Sequence, residues 1–145
     1  MDTRTPQSIY FVDDEKLFRD CFSKKIEEEF RHVQVRTAKN GLEAIELIQE
    51  STPSLLITGI MMPRMDGFTL IEHLLDRNLK FPILIFSTYL SHYDVIHDRY
   101  IQFLRILDRI DLPSLGLLCR PCNMDDFLSE VRRLLHLSAI DSRNF

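Results

Sequence analysis

The sequence predicts an α/β domain with a doubly wound, five-stranded parallel sheet, (βα)5, and an extended fourth helix. Three observations carry this. Strand-like apolar runs and helix-like apolar stripes alternate five times along the chain, the pattern of a parallel sheet with helices on both faces. Runs such as Ser8–Val12 and Ser54–Thr58 are short, apolar and rich in β-branched residues, as buried strands are. The length of 145 residues, with 45% hydrophobic and 28% charged residues, fits one folded domain over 1–145. Its core is expected over about 8–137, with a polar tail over 138–145.

Each element follows in order. After the strand at Ser8–Val12, the stretch from Glu15 to Phe30 carries Phe18, Phe22, Ile26 and Phe30 at every fourth position, one face of a helix. Val33–Thr37 alternates as a strand does. Asn40-Gly41 turns the chain into a helix over Leu42–Glu50. Pro53 punctuates, Ser54–Thr58 is the third strand, and Met62–Gly67 is a loop. Phe68–Asn78 is helical, with Phe68, Ile71, Leu74 and Leu75 on one stripe. Pro82–Phe86 is the fourth strand and His92–Asp111 a long helix. Leu115–Cys119 is the fifth strand. Asn123–Leu137 is the last helix, with Asn123 as its cap and Asp125 and Asp126 in its first turn.

Charge and composition narrow the function. Eighteen basic residues against 22 acidic ones give a net charge of −4, with no basic field for direct nucleic-acid binding. The apolar stretches break within about ten residues, too short to cross a membrane. Three cysteines, an odd number, follow a polar beginning without the character of a leader, and the setting is expected to be cytoplasmic.

In a doubly wound sheet the functional crevice lies outside the carboxyl ends of the strands. That rule selects Asp13-Asp14-Glu15, Thr37-Ala38, Gly59-Ile60, Ser87-Thr88 and Arg120-Pro121. The acid pair Asp13-Asp14 reads equally as helix capping or as a divalent-cation site. An acid pair, a hydroxyl and a cation around one crevice suit a phosphoryl group with its metal.

At these residues the chain resembles the receiver domains of response regulators, of the CheY-like, flavodoxin-like type. The matching pieces are Phe11-Val-Asp-Asp-Glu15, Ile60-Met-Met-Pro-Arg-Met-Asp-Gly67, Pro82-Ile-Leu-Ile-Phe-Ser87 and Gly116-Leu-Leu-Cys-Arg-Pro121. The resemblance implies two-component signalling. It places Asp13 and Asp14 on the family's Mg2+-binding acid pair, and Ser87, followed by Thr88, on its hydroxyl switch position. Arg120, ahead of Pro121, falls on the switch lysine.

Three departures accompany the match. The family's phospho-acceptor aspartate precedes Ile60-Met61-Met62-Pro63, and Gly59 stands there instead. Glycine cannot form an acyl phosphate, and the site also loses one of three metal carboxylates. Arg120 replaces the lysine, and its planar fork suits a carboxylate, so an ion pair with Asp13 or Asp14 in place of the metal is expected. The switch aromatic three positions before the lysine becomes Leu117. The expectation is a degenerate receiver acting by protein–protein contact, without aspartyl phosphorylation, catalysis or a required cofactor. At most a weak Mg2+ site remains at Asp13 and Asp14.

Thirty-two residues separate Ser87 from Arg120, more than a parallel crossover needs. Tyr93, Ile96, Tyr100, Phe103, Leu104 and Leu107 are expected to cover the sheet. Val95, Ile101, Ile106 and Ile110 fall off that stripe. They are either packed by extra turns folding back or an interaction face, for a protein partner or a homodimer, on the side formed by the fourth helix, fifth strand and fifth helix.

Other readings compete less well. Ser87, or Thr58, is an alternative phospho-acceptor, although strand alternation aims Thr58 away from the crevice. Cys119-Arg-Pro-Cys122 resembles a thiol-redox motif at a helix start, where a thiol pKa is lowered, but Arg120-Pro121 already belongs to the receiver pattern. The five histidines are scattered and read as surface or packing residues.

Overall fold

The structure is a computed structural model and describes residues 5–88 and 99–143. The elements run β1 (Gln7–Val12), α1 (Lys16–Glu29), β2 (Val33–Ala38), α2 (Gly41–Glu50), β3 (Leu55–Thr58), α3 (Gly67–Asp76), β4 (Ile83–Ser87), α4 (Tyr100–Arg109), a short 3-10 turn (Leu112–Ser114), β5 (Leu115–Cys119) and α5 (Met124–Arg143). The five strands form one parallel sheet in the order β2-β1-β3-β4-β5. This is the doubly wound (βα)5 arrangement that the alternation of elements predicts.

Successive strand side chains point to opposite faces, so each central strand feeds two cores. Tyr10, Val12, Leu56 and Ile85 pack on one side with Phe68, Ile71 and Ile106. Ile9, Phe11, Ile57 and Phe86 pack on the other, against Ile26 of α1 and Phe127 and Val131 of α5. The second core is unusually aromatic. Phe18 and Phe22 stack at 4.3 Å, and Phe22 meets Phe86 at 5.2 Å and Phe127 at 4.8 Å. Such ring pairs add about 0.5–1.5 kcal/mol each beyond their buried area. Tyr10, whose phenol is buried in the first core, is satisfied: it donates to the Ser51 carbonyl at 2.7 Å.

Helices α2, α3 and α5 start where short polar side chains take up free backbone N–H groups. Asn40 accepts from Glu43 N at 2.9 Å, Asp66 from Thr69 N at 2.9 Å and Asn123 from Asp126 N at 2.7 Å. Helix α5 continues to Arg143, well past the expected end at Leu137, so most of the expected tail is helical.

Helix α4 is turned differently from its apolar pattern. Ile106 is fully buried and Ile110 packs on the first core, whereas Ile101 is 70% and Leu104 40% exposed. Ile106 and Ile110 therefore leave the expected interaction face, and Leu104 leaves the expected core stripe. The cause is the contact with α3. Phe103 stacks on Phe68 at 5.4 Å. Beside it, Arg99 pairs with Asp66, Gln102 donates to Glu72 at 2.7 Å, Arg105 Nε lies 3.4 Å from Glu72, and Arg109 lies 2.8 Å from Asp76. Polar pairs along one flank fix the rotation that apolarity alone leaves open. Val95 and the expected first turns of this helix, with Tyr93 and Ile96, lie outside the described residues.

The loop after β3 closes tightly on the strand end. Gly67 N donates to the Ile60 carbonyl at 2.7 Å. A Cβ on Gly67 would sit 1.9 Å from the Gly59 carbonyl oxygen, a collision with backbone. At Gly59 a Cβ would meet nothing closer than Asp13 Oδ2 at 3.5 Å, ordinary contact. Gly67→Ala is therefore expected to destabilise the fold by about 3 kcal/mol or more. Gly59→Ala should leave stability within about 1 kcal/mol of the parent. Urea denaturation of the two variants checks the contrast.

Candidate functional site

Three backbone hydrogen bonds extend the sheet ladders past the strand ends. Asp13 N donates to the Ala38 carbonyl at 3.0 Å, Gly59 N to Val12 at 3.0 Å and Arg120 N to Ser87 at 3.1 Å. They bring Asp13, Gly59, Ser87 and Arg120 to one crevice at the carboxyl edge of β1, β3, β4 and β5, where a doubly wound sheet holds its ligands.

The centre of that crevice is an ion pair. Arg120 Nη2 lies 2.9 Å from Asp13 Oδ2, with the two side chains 12% and 2% exposed. The other carboxylate oxygen, Oδ1, accepts from Glu15 N at 2.8 Å. Arg19 of α1 donates to the Asp13 main-chain carbonyl at 2.7 Å. The guanidinium of Arg120 also lies over two rings, 4.0 Å from the centroid of Phe18 and 5.2 Å from that of Phe86. Its Nε is buried without a hydrogen-bond partner.

Burial pushes the Asp13 carboxyl above its usual range, because the charged form loses hydration. The Glu15 N–H and the Arg120 charge pull the other way and the neighbouring acids add to the rise. The folded chain therefore holds this proton more tightly than the unfolded chain. Between the unfolded and the raised folded pKa, the contribution of Asp13 to stability falls as pH rises.

The other sequence-selected residues lie around this pair. Asp14 is exposed. Ser87 is buried at the end of β4, and Thr88 follows, half-buried. Thr58 is fully buried and its hydroxyl donates to the Gly59 carbonyl at 2.9 Å. Leu117 pairs in register with Ile85 and is 44% exposed; Pro121 is exposed. Cys119 and Cys122 are both free and half-buried. Burial, with Asp126 nearby, raises the Cys122 thiol pKa, against the expected lowering at a helix start. Sequence reasoning passed over Phe18 as a site residue. Its position in the apolar stripe of α1 explains it as core, and only the sheet order shows that it faces Arg120.

The donor set fits Mg2+ poorly. A hard divalent cation wants several carboxylate or carbonyl oxygens in near-octahedral array. Here Asp13 turns one oxygen to a backbone N–H and the other to a guanidinium, Gly59 offers no side chain, and Asp14 is exposed. Among the described residues no cluster of three metal-ligating side chains occurs.

Three outcomes follow. Arg120→Met keeps the bulk and removes the charge, leaving Asp13 buried and unpaired; it should cost about 3–5 kcal/mol. In that variant the Asp13 carboxyl should titrate at higher pH than in the parent, as read by carboxyl-carbon NMR. Separately, Cys122 should react with a thiol probe near neutral pH more slowly than the exposed Cys21.

Comparison with known proteins agrees with the geometry. The response regulator receiver domain family matches residues 9–102. An uncharacterized response regulatory protein of Staphylococcus epidermidis is 37% identical over 82 residues, covering 56% of this chain and 32% of that protein. The response regulator MprA of a Mycobacterium species is 26% identical over 136 residues, covering 94% of this chain and 54% of that protein. The response regulator TrrA of Thermotoga maritima, solved in complex with Mg2+ and BeF, is similar in fold. It has a TM-score of 0.69 at 23% identity, with 88% of this chain and 98% of that chain covered. The chain spans about a third to about half the length of these two curated relatives. Among the described residues no helix is long and apolar enough to cross a membrane. With its sheet order, its strand-end crevice and a family match over most of its length, the chain belongs to the response regulator receiver domain family.

Proposed function

We propose that this domain is a degenerate receiver, in which the Arg120–Asp13 ion pair stands where the family keeps a metal ion and a phosphoryl group. Gly59 occupies the acceptor position and supplies no nucleophile. The single observation that carries the reading is the 2.9 Å contact between Arg120 Nη2 and Asp13 Oδ2. It joins a fixed cation to the one buried acid of the site, so charge compensation needs neither Mg2+ nor phosphate. Such a site holds one conformation, and its signal is the presence of the protein and not its phosphorylation state.

Signalling then rests on protein contact. The α4–β5–α5 side is the proposed surface, for a protein partner or a second copy of the chain. Ile101 on α4 and Leu117 on β5 supply exposed apolar side chains there, in place of Ile106 and Ile110. Ser87 is a poor substitute acceptor because it is 1% exposed. The raised Cys122 thiol argues against a redox module.

The test is intact mass after incubation with acetyl phosphate and Mg2+. The parent should keep its mass, while a Gly59→Asp, Arg120→Lys double variant should gain one phosphoryl group. A phosphoryl group on the parent would refute the reading, and mapping it would name the acceptor. Gly59→Asp alone should gain little, because Arg120 remains beside both acids.

A further inference from the structure

We infer that Phe18 is the positioning residue that lays Arg120 on Asp13, making α1 the element to which this site is mechanically tied. The inference deepens the degenerate-receiver reading and rests on it. A guanidinium has five N–H donors in a rigid plane, and its hold on a carboxylate is strongest when several of them are engaged. At Arg120 the observed anchor is the contact of Nη2 with Asp13 Oδ2, while Nε is buried without a partner. Something other than hydrogen bonds must therefore fix the plane of the group. The Phe18 ring lies 4.0 Å from the guanidinium carbon, and Phe86 flanks it at 5.2 Å. A cation over an aromatic face is attracted by the ring quadrupole, more strongly the less water reaches it, and the Arg120 side chain is only 12% exposed.

Phe18 is itself held. It stacks on Phe22 one turn later at 4.3 Å and meets Phe86 at 5.5 Å, within the aromatic core that also contains Phe127. Phe18 is half-buried, so its ring covers the guanidinium as a lid at the edge of that core. Arg19, the next residue, donates to the Asp13 carbonyl at 2.7 Å. Two successive residues of α1 thus touch the two members of the ion pair, Phe18 the arginine and Arg19 the aspartate. A shift of α1 disturbs both at once.

The readout is the Arg120 guanidinium by NMR in the full chain. In the parent, its Nη protons should be resolved and slow to exchange, and its δ protons shifted upfield by the Phe18 ring. Phe18→Leu should average the Nη protons and speed their exchange, and Phe18→Tyr should restore them. Phe30→Leu removes a ring from the same core, one that lies under Arg132 and not under Arg120, and should leave them resolved. Resolved Nη protons in Phe18→Leu would overturn the inference, since Asp13 alone would then suffice. Asp13→Asn keeps the question open to measurement even if Phe18→Leu does not fold. The upfield δ-proton shift should persist in it, and loss of that shift would show that the carboxylate positions the arginine and would overturn the inference. A parent that stays unphosphorylated while failing these tests would leave the degenerate-receiver reading standing and remove only the role of Phe18.

Discussion

A carboxylate buried at the end of a central strand must be compensated, and the site is organised around how that is done. Asp13 lies between β2 and β3, where the sheet order places it beside Gly59 and within reach of the residue that follows β5. Losing hydration is costly for an ion, and a partner charge offsets it only with good geometry. The Arg120 guanidinium provides that from the far side of the crevice, and the Glu15 N–H completes it from the start of α1. Strand order, the turn into α1 and the exit of β5 all converge on one acid.

The same logic explains why the aromatic core sits where it does. A guanidinium is weakly hydrated for a cation and tolerates an apolar cover better than an ammonium does. Phe18 and Phe86 provide that cover, so the charge sits against the edge of a hydrophobic core without a full set of hydrogen bonds. On the opposite face of the sheet the solution is different. There α3 and α4 are registered by paired Arg, Gln and acidic side chains along the flank of a Phe68–Phe103 stack. Most of these ion pairs are partly exposed, so they orient the helix more than they stabilise it.

The order of elements and nearly all the strands were legible in the sequence, because buried parallel strands and amphipathic helices leave period-specific patterns. The crevice residues were legible too, since strand ends follow from strand positions. The rotation of α4 was not. Ile101, Leu104, Ile106 and Ile110 are equally apolar, and the residues that decide among them are Arg99, Gln102, Arg105 and Arg109, spaced to match Asp66, Glu72 and Asp76 on α3. That signal is a pairing between two distant segments and is invisible to a reading of one helix at a time. Phe18 was hidden for a related reason: its periodicity marks it as core, and nothing local shows that a cation lies above it.

The close approach at Gly67 bears on how such domains are recognised. Any side chain there meets the Gly59 carbonyl, whatever residue 59 carries and whatever chemistry the crevice performs. The Met65-Asp66-Gly67 turn is thus a demand of chain closure, with Asp66 capping α3 and Gly67 admitting the backbone. Position 59 has room for a side chain, and position 67 has none. The signature loop certifies an architecture, whatever chemistry the neighbouring strand end carries out.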